Sequence, residues 1–274
     1  MPARTPERIV CLTEETTETL YLLGEERRIV GISGYTVRPP RARREKPRVS
    51  AFLSANNEKI LALKPDLVIG FSDLQADIAR DLAKAGLNVV LFNQRSVQEI
   101  LDMILALASL VGEAQKGAAL IRSLEAGISE IREASQRFPK KPKVYFEEWD
   151  EPMISGIRWV SELIEIAGGE DIFRELSFSH AAQGRTISDG KEIMRRAPDV
   201  IIGSWCGKKF RPERVSARPG WGAVPAVRDG ELHEIKSSQI LQPGPAALTD
   251  GVRRIHDILR AFLSREPRRR RPGA

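Results

Sequence analysis

Ile60-Leu61-Ala62-Leu63-Lys64-Pro65-Asp66-Leu67-Val68-Ile69-Gly70 is matched in form later in the chain by Ile193-Met194-Arg195-Arg196-Ala197-Pro198-Asp199-Val200-Ile201-Ile202-Gly203. Each stretch ends a helix, turns at Pro-Asp, and enters a short apolar run that closes on glycine. Proline cannot extend the helix before it. An apolar run without alternation fits a strand buried on both faces, as parallel sheets require. Two such corners imply two similar α/β halves related by pseudo-symmetry. The alternative is that any α/β chain repeats a helix-to-strand corner.

Working outward, Arg8 to Leu12 reads as a first strand, and Thr17, Leu20 and Leu23 as a helix stopped at Gly24. Ile29 to Ile32 is a second strand. The basic, proline-rich stretch Arg38 to Arg48 reads as a surface loop. Asn56 or Asn57 caps a helix to Leu63, a further helix spans Leu74 to Ala85, and Asn88 to Phe92 is the next strand. Strand and helix thus alternate, which predicts a mostly parallel sheet.

The middle differs. Ser96 to Phe138 is almost all helix former, divided near Gly112-Glu113. Leu120, Leu124, Ile128 and Ile131 make one apolar stripe on the second piece, Glu113 to Arg137. At 1.5 Å per residue that piece is roughly 37 Å long, the length of a strut between lobes. The alternation then resumes: strand Lys143 to Glu147, helix Val160 to Ala167, a helix from Asp189 to Arg196, strand Val200 to Gly203, strand Glu231 to Ile235, and a closing helix Asp250 to Leu263. The expected fold class is therefore α/β, with two similar lobes built on mostly parallel sheets, one long rigid helix between them and a ligand cleft between the lobes. The expected boundaries are 1–112, 113–138 for the helix, 139–264, and a disordered basic tail at 265–274.

Of 274 residues, 42% are hydrophobic and 29% charged, with a net charge of +6. Much of that excess sits in Arg268 to Arg271. Neither basic stretch interleaves aromatic residues, so nucleic acid is not an expected partner. The cysteines, Cys11 and Cys206, form no disulfide framework or zinc spacing. No apolar run is long enough to span a membrane. MPARTPERIVCL lacks the apolar core of a secretory signal, which favours a cytoplasmic protein; a periplasmic or lipid-anchored one is expected if an export signal was trimmed away.

Several segments together resemble a known family: RIVCLTEETTETLYLLG, NNEKILALKPDLVIG, ELIEIAGGEDIF, APDVIIG and LQPGPAALTDGVRRIHDIL. They occur in order across residues 8 to 263 as they do in the class III, helical-backbone substrate-binding proteins of ABC importers, which bind cobalamin, ferric siderophores, haem and some metal ions. YFEEWDEPMISG and SWCGKKF are most similar to the cobalamin-binding branch. The resemblance implies a small-molecule ligand, a monomer, and an acid on each lobe that meets arginines of an ABC permease. The first acid maps to Glu58, seven residues before Pro65. The corresponding position before Pro198 holds Lys191, with Glu192 beside it but out of register.

Ligands of open α/β sheets lie beyond the carboxyl ends of the strands. Those ends carry Cys11, Thr13, Glu14 and Glu15; Ser33 and Tyr35; Phe71 and Ser72; Glu147, Glu148 and Trp149; and Trp205 and Cys206. Of these, Cys11, Glu15, Tyr35, Phe71, Glu147, Trp149, Trp205 and Cys206, together with Trp159, are the expected ligand contacts. The list is rich in aromatics, which suits a large, flat, partly apolar ring such as a corrin; such a cobalamin-like corrinoid would be the ligand, and no intrinsic cofactor is expected. The same aromatics also suit packing between sheet and helix. Cys11 and Cys206 are either small buried residues, the preferred reading, or thiolates ligating the metal of the ligand across the cleft. Lys208, Lys209 and Arg211 suit carboxylate or phosphate groups, or a solvated loop. With three histidines, of which only His180 is placed to reach the cleft, no bare metal site is expected. No G-x-S-x-G, P-loop, G-x-G-x-x-G or H-E-x-x-H occurs, so the chain is not expected to be an enzyme. Alternatives are a cytoplasmic carrier or sensor of a metal-chelate or siderophore-type ligand, and an enzyme using Cys11, Cys206 or the glutamates.

Overall fold

A computed structural model of the chain describes residues 5–265; the expected basic tail beyond Arg265 lies outside them. The described chain forms two compact units. One runs up to Ala126 and takes in Gln242–Leu248; the other runs from Gly127 to Leu241 and resumes at Thr249.

The first unit has a five-stranded, wholly parallel sheet of β1 (Ile9–Cys11), β2 (Ile29–Ser33), β3 (Arg48–Ser50), β4 (Leu67–Phe71) and β5 (Val89–Phe92), in the order β3-β2-β1-β4-β5. The chain winds one way from β1 to β3 and then the other way through β4 and β5. The switch point therefore lies between β1 and β4. Helices α1 (Glu14–Leu22), α2 (Ala42–Glu45), α3 (Asn57–Ala62), α4 (Ala76–Lys84) and α5 (Val97–Leu110) connect and follow the strands. Val10, Leu12, Val49, Ile60, Val68 and Leu82 form one buried cluster of this unit. The stretch read as a surface loop is more ordered than expected: it holds α2 and leads directly into edge strand β3. Strand β3 is three residues long, too short to show a period.

Helix α5 begins at a capping box in which Ser96 and Glu99 satisfy each other's backbone amides. It ends before Gly112, whose φ of +79° favours glycine. Helix α6 (Ala114–Ser135) follows, 22 residues or about 33 Å long. Leu124, Ile128 and Ile131 of the expected stripe are buried. The boundary between the units, Ala126/Gly127, falls inside α6.

The second sheet has the order β11-β10-β6-β7-β9, with β6 (Lys143–Asp150), β7 (Met153–Ser155), β8 (Glu170–Asp171), β9 (Thr186–Ile187), β10 (Val200–Gly203) and β11 (Leu232–Glu234); β8 pairs with β6. Strands β6, β8, β10 and β11 are parallel, whereas β7 runs antiparallel to β6 and β9. Helices α7 (Arg158–Ile166) and α8 (Gly190–Arg196) belong here, as does the closing helix Val252–Ser264, which is entered through a π-helical turn at Ala247–Gly251.

The two corners quoted above are built alike. Lys64 and Ala197, just before the prolines, both adopt the left-handed conformation. Asp66 N donates to Arg8 O at 2.9 Å, and its carboxylate accepts from Glu7 N and Arg8 N at 2.8 and 2.9 Å. Asp199 N donates to Lys143 O at 2.8 Å, and its carboxylate accepts from Lys143 N at 2.9 Å. Each aspartate thus stitches its own strand to the start of the first strand of its sheet. The closing glycines are equally constrained. A Cβ on Gly70 would lie 2.5 Å from Gln75 Oε1, and one on Gly203 would lie 1.9 Å from the Phe210 ring.

Candidate functional site

Beyond the carboxyl ends of the first sheet, three large apolar side chains stand in solvent. Tyr35 follows β2 and is 62% exposed; Leu53 follows β3 and is 68% exposed; Leu74 follows β4 and is 58% exposed. Their loops are tied together. Gly34 N donates to Ser50 O, Phe71 N donates to Gln75 Oε1, and Gln75 Nε2 donates to Phe52 O. Exposed apolar side chains on braced loops at strand carboxyl ends suit a ligand surface. Of the three, only Tyr35 was among the expected contacts. Leu53 was missed because β3 was not recognised, and Leu74 because it was assigned to a helix. Phe71 is buried, with the Arg95 guanidinium 4.7 Å from its ring centre.

Cys11 and Glu15 lie deeper. Cys11 is fully buried at the end of β1. Burial pushes its thiol up to about 12, against the opposing effect of the Thr16 and Thr17 hydroxyls. A neutral buried thiol packs as a small apolar group. Helix α1 is buried along almost its whole length, acids included. Glu14 accepts from Val37 N at 2.6 Å, Glu15 accepts from Thr13 Oγ1 at 2.6 Å, and Glu18 takes Arg38 Nε at 2.9 Å and Ala246 N at 3.1 Å. Burial raises Glu14 to about 8 and Glu15 to about 7. These carboxyls fasten the Tyr35 loop and the segment Gln242–Leu248 to α1. Gly244 leaves no alternative there, since a Cβ would lie 2.4 Å from Glu15 Cβ.

In the second unit, three expected contacts belong to the core. Glu147 is wholly buried and accepts from Tyr145 Oη, Trp205 Nε1 and both terminal nitrogens of Arg218. Trp205 is buried edge-on to Phe210, with ring centres 5.0 Å apart. Trp159 is buried in the first turn of α7 and donates to Ile240 O at 2.8 Å. The aromatic signal at these positions came from packing. Glu148 is likewise engaged, by Arg185 at 2.5 and 3.2 Å.

What remains accessible is Trp149, Cys206 and a group of cations. Lys208 Nζ lies 3.9 Å from the Trp149 ring centre and pairs with Asp150, which also meets Arg214 at 3.1 Å. Burial opposes ionisation of Asp150, yet Lys208 and Arg214 bring its carboxyl below the usual range. Cys206 is exposed in the loop after β10, and partial desolvation and the Glu148 carboxylate push its thiol up. Beside the end of β6 lies a groove of about 780 Å³, walled by Met153, Met194, Pro219 and Trp221, with Asp150, Lys191 and Arg214 at its polar edge. That volume falls in the range of small-molecule sites. Among the described residues, no cluster of His, Cys, Asp and Glu fit to hold a metal ion is present.

The two acids expected to meet a permease differ. Glu58 is exposed, in the first turn of α3. Glu192 is held by Arg195 at 2.6 Å and Arg196 at 2.7 Å, and these hydrogen bonds bring its carboxyl down to about 2. Lys191 is exposed.

The profile of the periplasmic binding protein family matches residues 9–239, and the chain belongs to that family. It is 24% identical over 268 residues to an uncharacterized ABC transporter substrate-binding lipoprotein, YvrC, of Bacillus subtilis, covering 93% of this chain and 80% of the relative. It is 24% identical over 272 residues to the vitamin B12-binding protein of Vibrio vulnificus, covering 96% and 92%. The periplasmic haem-binding protein BhuT, solved with two haems, superimposes with a TM-score of 0.79 at 25% identity, covering 94% of this chain and 99% of that one. These findings overturn the expectation of a cytoplasmic protein, and with it a cytoplasmic carrier or sensor: the family is periplasmic, and one relative is a lipoprotein. The make-up of the first residues, on which that expectation rested, does not carry it.

Proposed function

We propose that this protein binds a metal chelate of the corrinoid, haem or siderophore type and delivers it, unchanged, to an ABC permease. The observation that carries the reading is the set of exposed apolar side chains Tyr35, Leu53 and Leu74, each at the carboxyl end of a different strand of the first sheet. Such a surface suits the apolar face of a macrocycle. Relatives named for vitamin B12 and for haem support the ligand class. Binding without chemistry is supported by the state of the reactive groups: Cys11 is a buried neutral thiol and Glu147 is saturated by four donors. Glu58 is the acid proposed to meet the permease.

Calorimetric titration with cyanocobalamin, haemin and a ferric hydroxamate tests this. One of them is expected to bind 1:1 with a Kd on the order of micromolar or tighter. Failure of all three to bind folded protein would overturn the reading.

A further inference from the structure

The basic stretch Arg38 to Lys59 carries Leu53 of the proposed ligand surface and adjoins Tyr35, but its cations play no part in that surface. It holds seven basic residues, Arg38, Arg41, Arg43, Arg44, Lys46, Arg48 and Lys59, against two acids, Glu45 and Glu58. Three of the cations are engaged or half-buried: Arg38 pairs with Glu18, Arg41 with Glu26, and Lys46 is half-buried. Arg43, Arg44, Arg48 and Lys59 are exposed, and no carboxylate of the described residues pairs with them.

Two of these four converge on a cavity. Between β3 and the start of α3 lies an open pocket of about 350 Å³, with Arg48, Ser50, Ser54, Asn56 and Lys59 among its walls. No acid lines it. The Ser50 hydroxyl is buried and has no hydrogen-bond partner among the described residues. Asn56 uses its side-chain carbonyl to cap α3, accepting from Lys59 N at 2.8 Å, which leaves its NH2 as a donor. The pocket therefore offers a guanidinium fork, an ammonium, an amide NH2 and the Ser54 hydroxyl, with the Ser50 hydroxyl unpaired behind them, and no fixed negative charge. A buried unpaired hydroxyl is costly unless something fills it. Donors of such different geometry suit a tetrahedral group with several acceptor oxygens better than a planar carboxylate.

We propose that this pocket of the first unit binds a phosphate group, either free inorganic phosphate or the headgroup phosphate of an anionic lipid, next to the chelate surface but through different side chains. A lipid would also meet Arg43 and Arg44 on the neighbouring helix α2, which adds charge that a free ion does not need.

The test uses the whole chain with Arg48→Gln, Lys59→Gln and the double substitution. Both side chains are exposed and make no hydrogen bond within the described chain, so the melting temperature should not move. Inorganic phosphate is titrated by calorimetry against chloride at equal ionic strength, which separates a site from screening. In a second arm, sedimentation is measured with vesicles of phosphatidylcholine alone or containing phosphatidic acid. Saturable phosphate binding that weakens about 10-fold or more in the double variant supports the site and a free-ion source. Binding confined to phosphatidic-acid vesicles and lost in the same variant supports the site and a lipid source. No binding in either arm, or binding that the double variant retains, overturns the proposal. Chelate binding, measured on the same variants, should be unchanged whichever result is found.

Discussion

Arg218 grips Glu147 through both of its terminal nitrogens, at 2.5 and 3.0 Å, in the core of the second unit. Tyr145 and Trp205 complete the ring of donors. A carboxylate so enclosed orients the loop after β10 and is not available to a ligand. Removing one partner of a buried pair strands the other charge, at a cost of about 3–5 kcal/mol. Glu147→Ala is expected to lower the urea unfolding free energy by that amount, whereas a double replacement of Glu147 and Arg218 by methionine recovers most of it. Ligand affinity of the folded Glu147→Ala protein should stay within about 2-fold of the parent. A large loss of affinity with unchanged stability would return Glu147 to the ligand surface.

Glu14 and Glu15 set a pH dependence of unusual sign. Their folded-state values, about 8 and about 7, lie above the ordinary 4.5. The folded chain therefore holds protons that the unfolded chain releases, and stability falls as pH rises from about 4.5 through about 8. Together the two carboxyls contribute on the order of a few kcal/mol. The urea midpoint is expected to drop between pH 5 and pH 9, and the drop should flatten in the Glu14→Gln/Glu15→Gln variant. A midpoint that rises with pH in that window would contradict the buried state of these acids.

The two cysteines should separate cleanly in reactivity. Cys206 is exposed, and Cys11 is buried with its thiol near 12. Iodoacetamide at pH 8 is expected to label one thiol per native chain, at Cys206, and the second only after denaturation. Peptide mass mapping checks the assignment; rapid native labelling of Cys11 would mean that β1 opens.

Permease docking should be lopsided. Glu58 is exposed, whereas Glu192 is committed to Arg195 and Arg196. Glu58→Arg is expected to reduce ligand-dependent stimulation of a cognate permease's ATPase severalfold, and Glu192→Gln to leave it nearly unchanged. Equal losses in both variants would show that Glu192 exchanges its partners on docking.

Much of the fold was legible because it is written in local chemistry. The Pro-Asp corners announce strands β4 and β10, and the structure adds why the aspartate is there: it bonds the backbone at Arg8 and at Lys143. Strand β3 was hidden by its length and by the arginines around it. The antiparallel β7 was hidden because its pairing depends on a tight return after Asp150. The site was less legible. Tyr35, expected because it follows a strand end, is exposed there. Glu147 and Trp205 follow the same pattern in sequence, but their side chains turn into the core, as does that of Trp159 on α7, and position along the chain does not encode that direction. Leu53 and Leu74 carry no chemical signal in sequence, since an exposed leucine is recognisable only once the surface is known.

The most direct measurement is a visible-absorbance titration of haemin and of cyanocobalamin into the parent protein and into the Tyr35→Ala/Leu53→Ala/Leu74→Ala variant. The parent is expected to give a saturable 1:1 spectral shift with at least one of the two. The variant should fold normally and bind about 150-fold more weakly, as three side chains each worth about 1 kcal/mol require. Saturable binding that the triple variant retains in full would contradict the account of which surface holds the ligand.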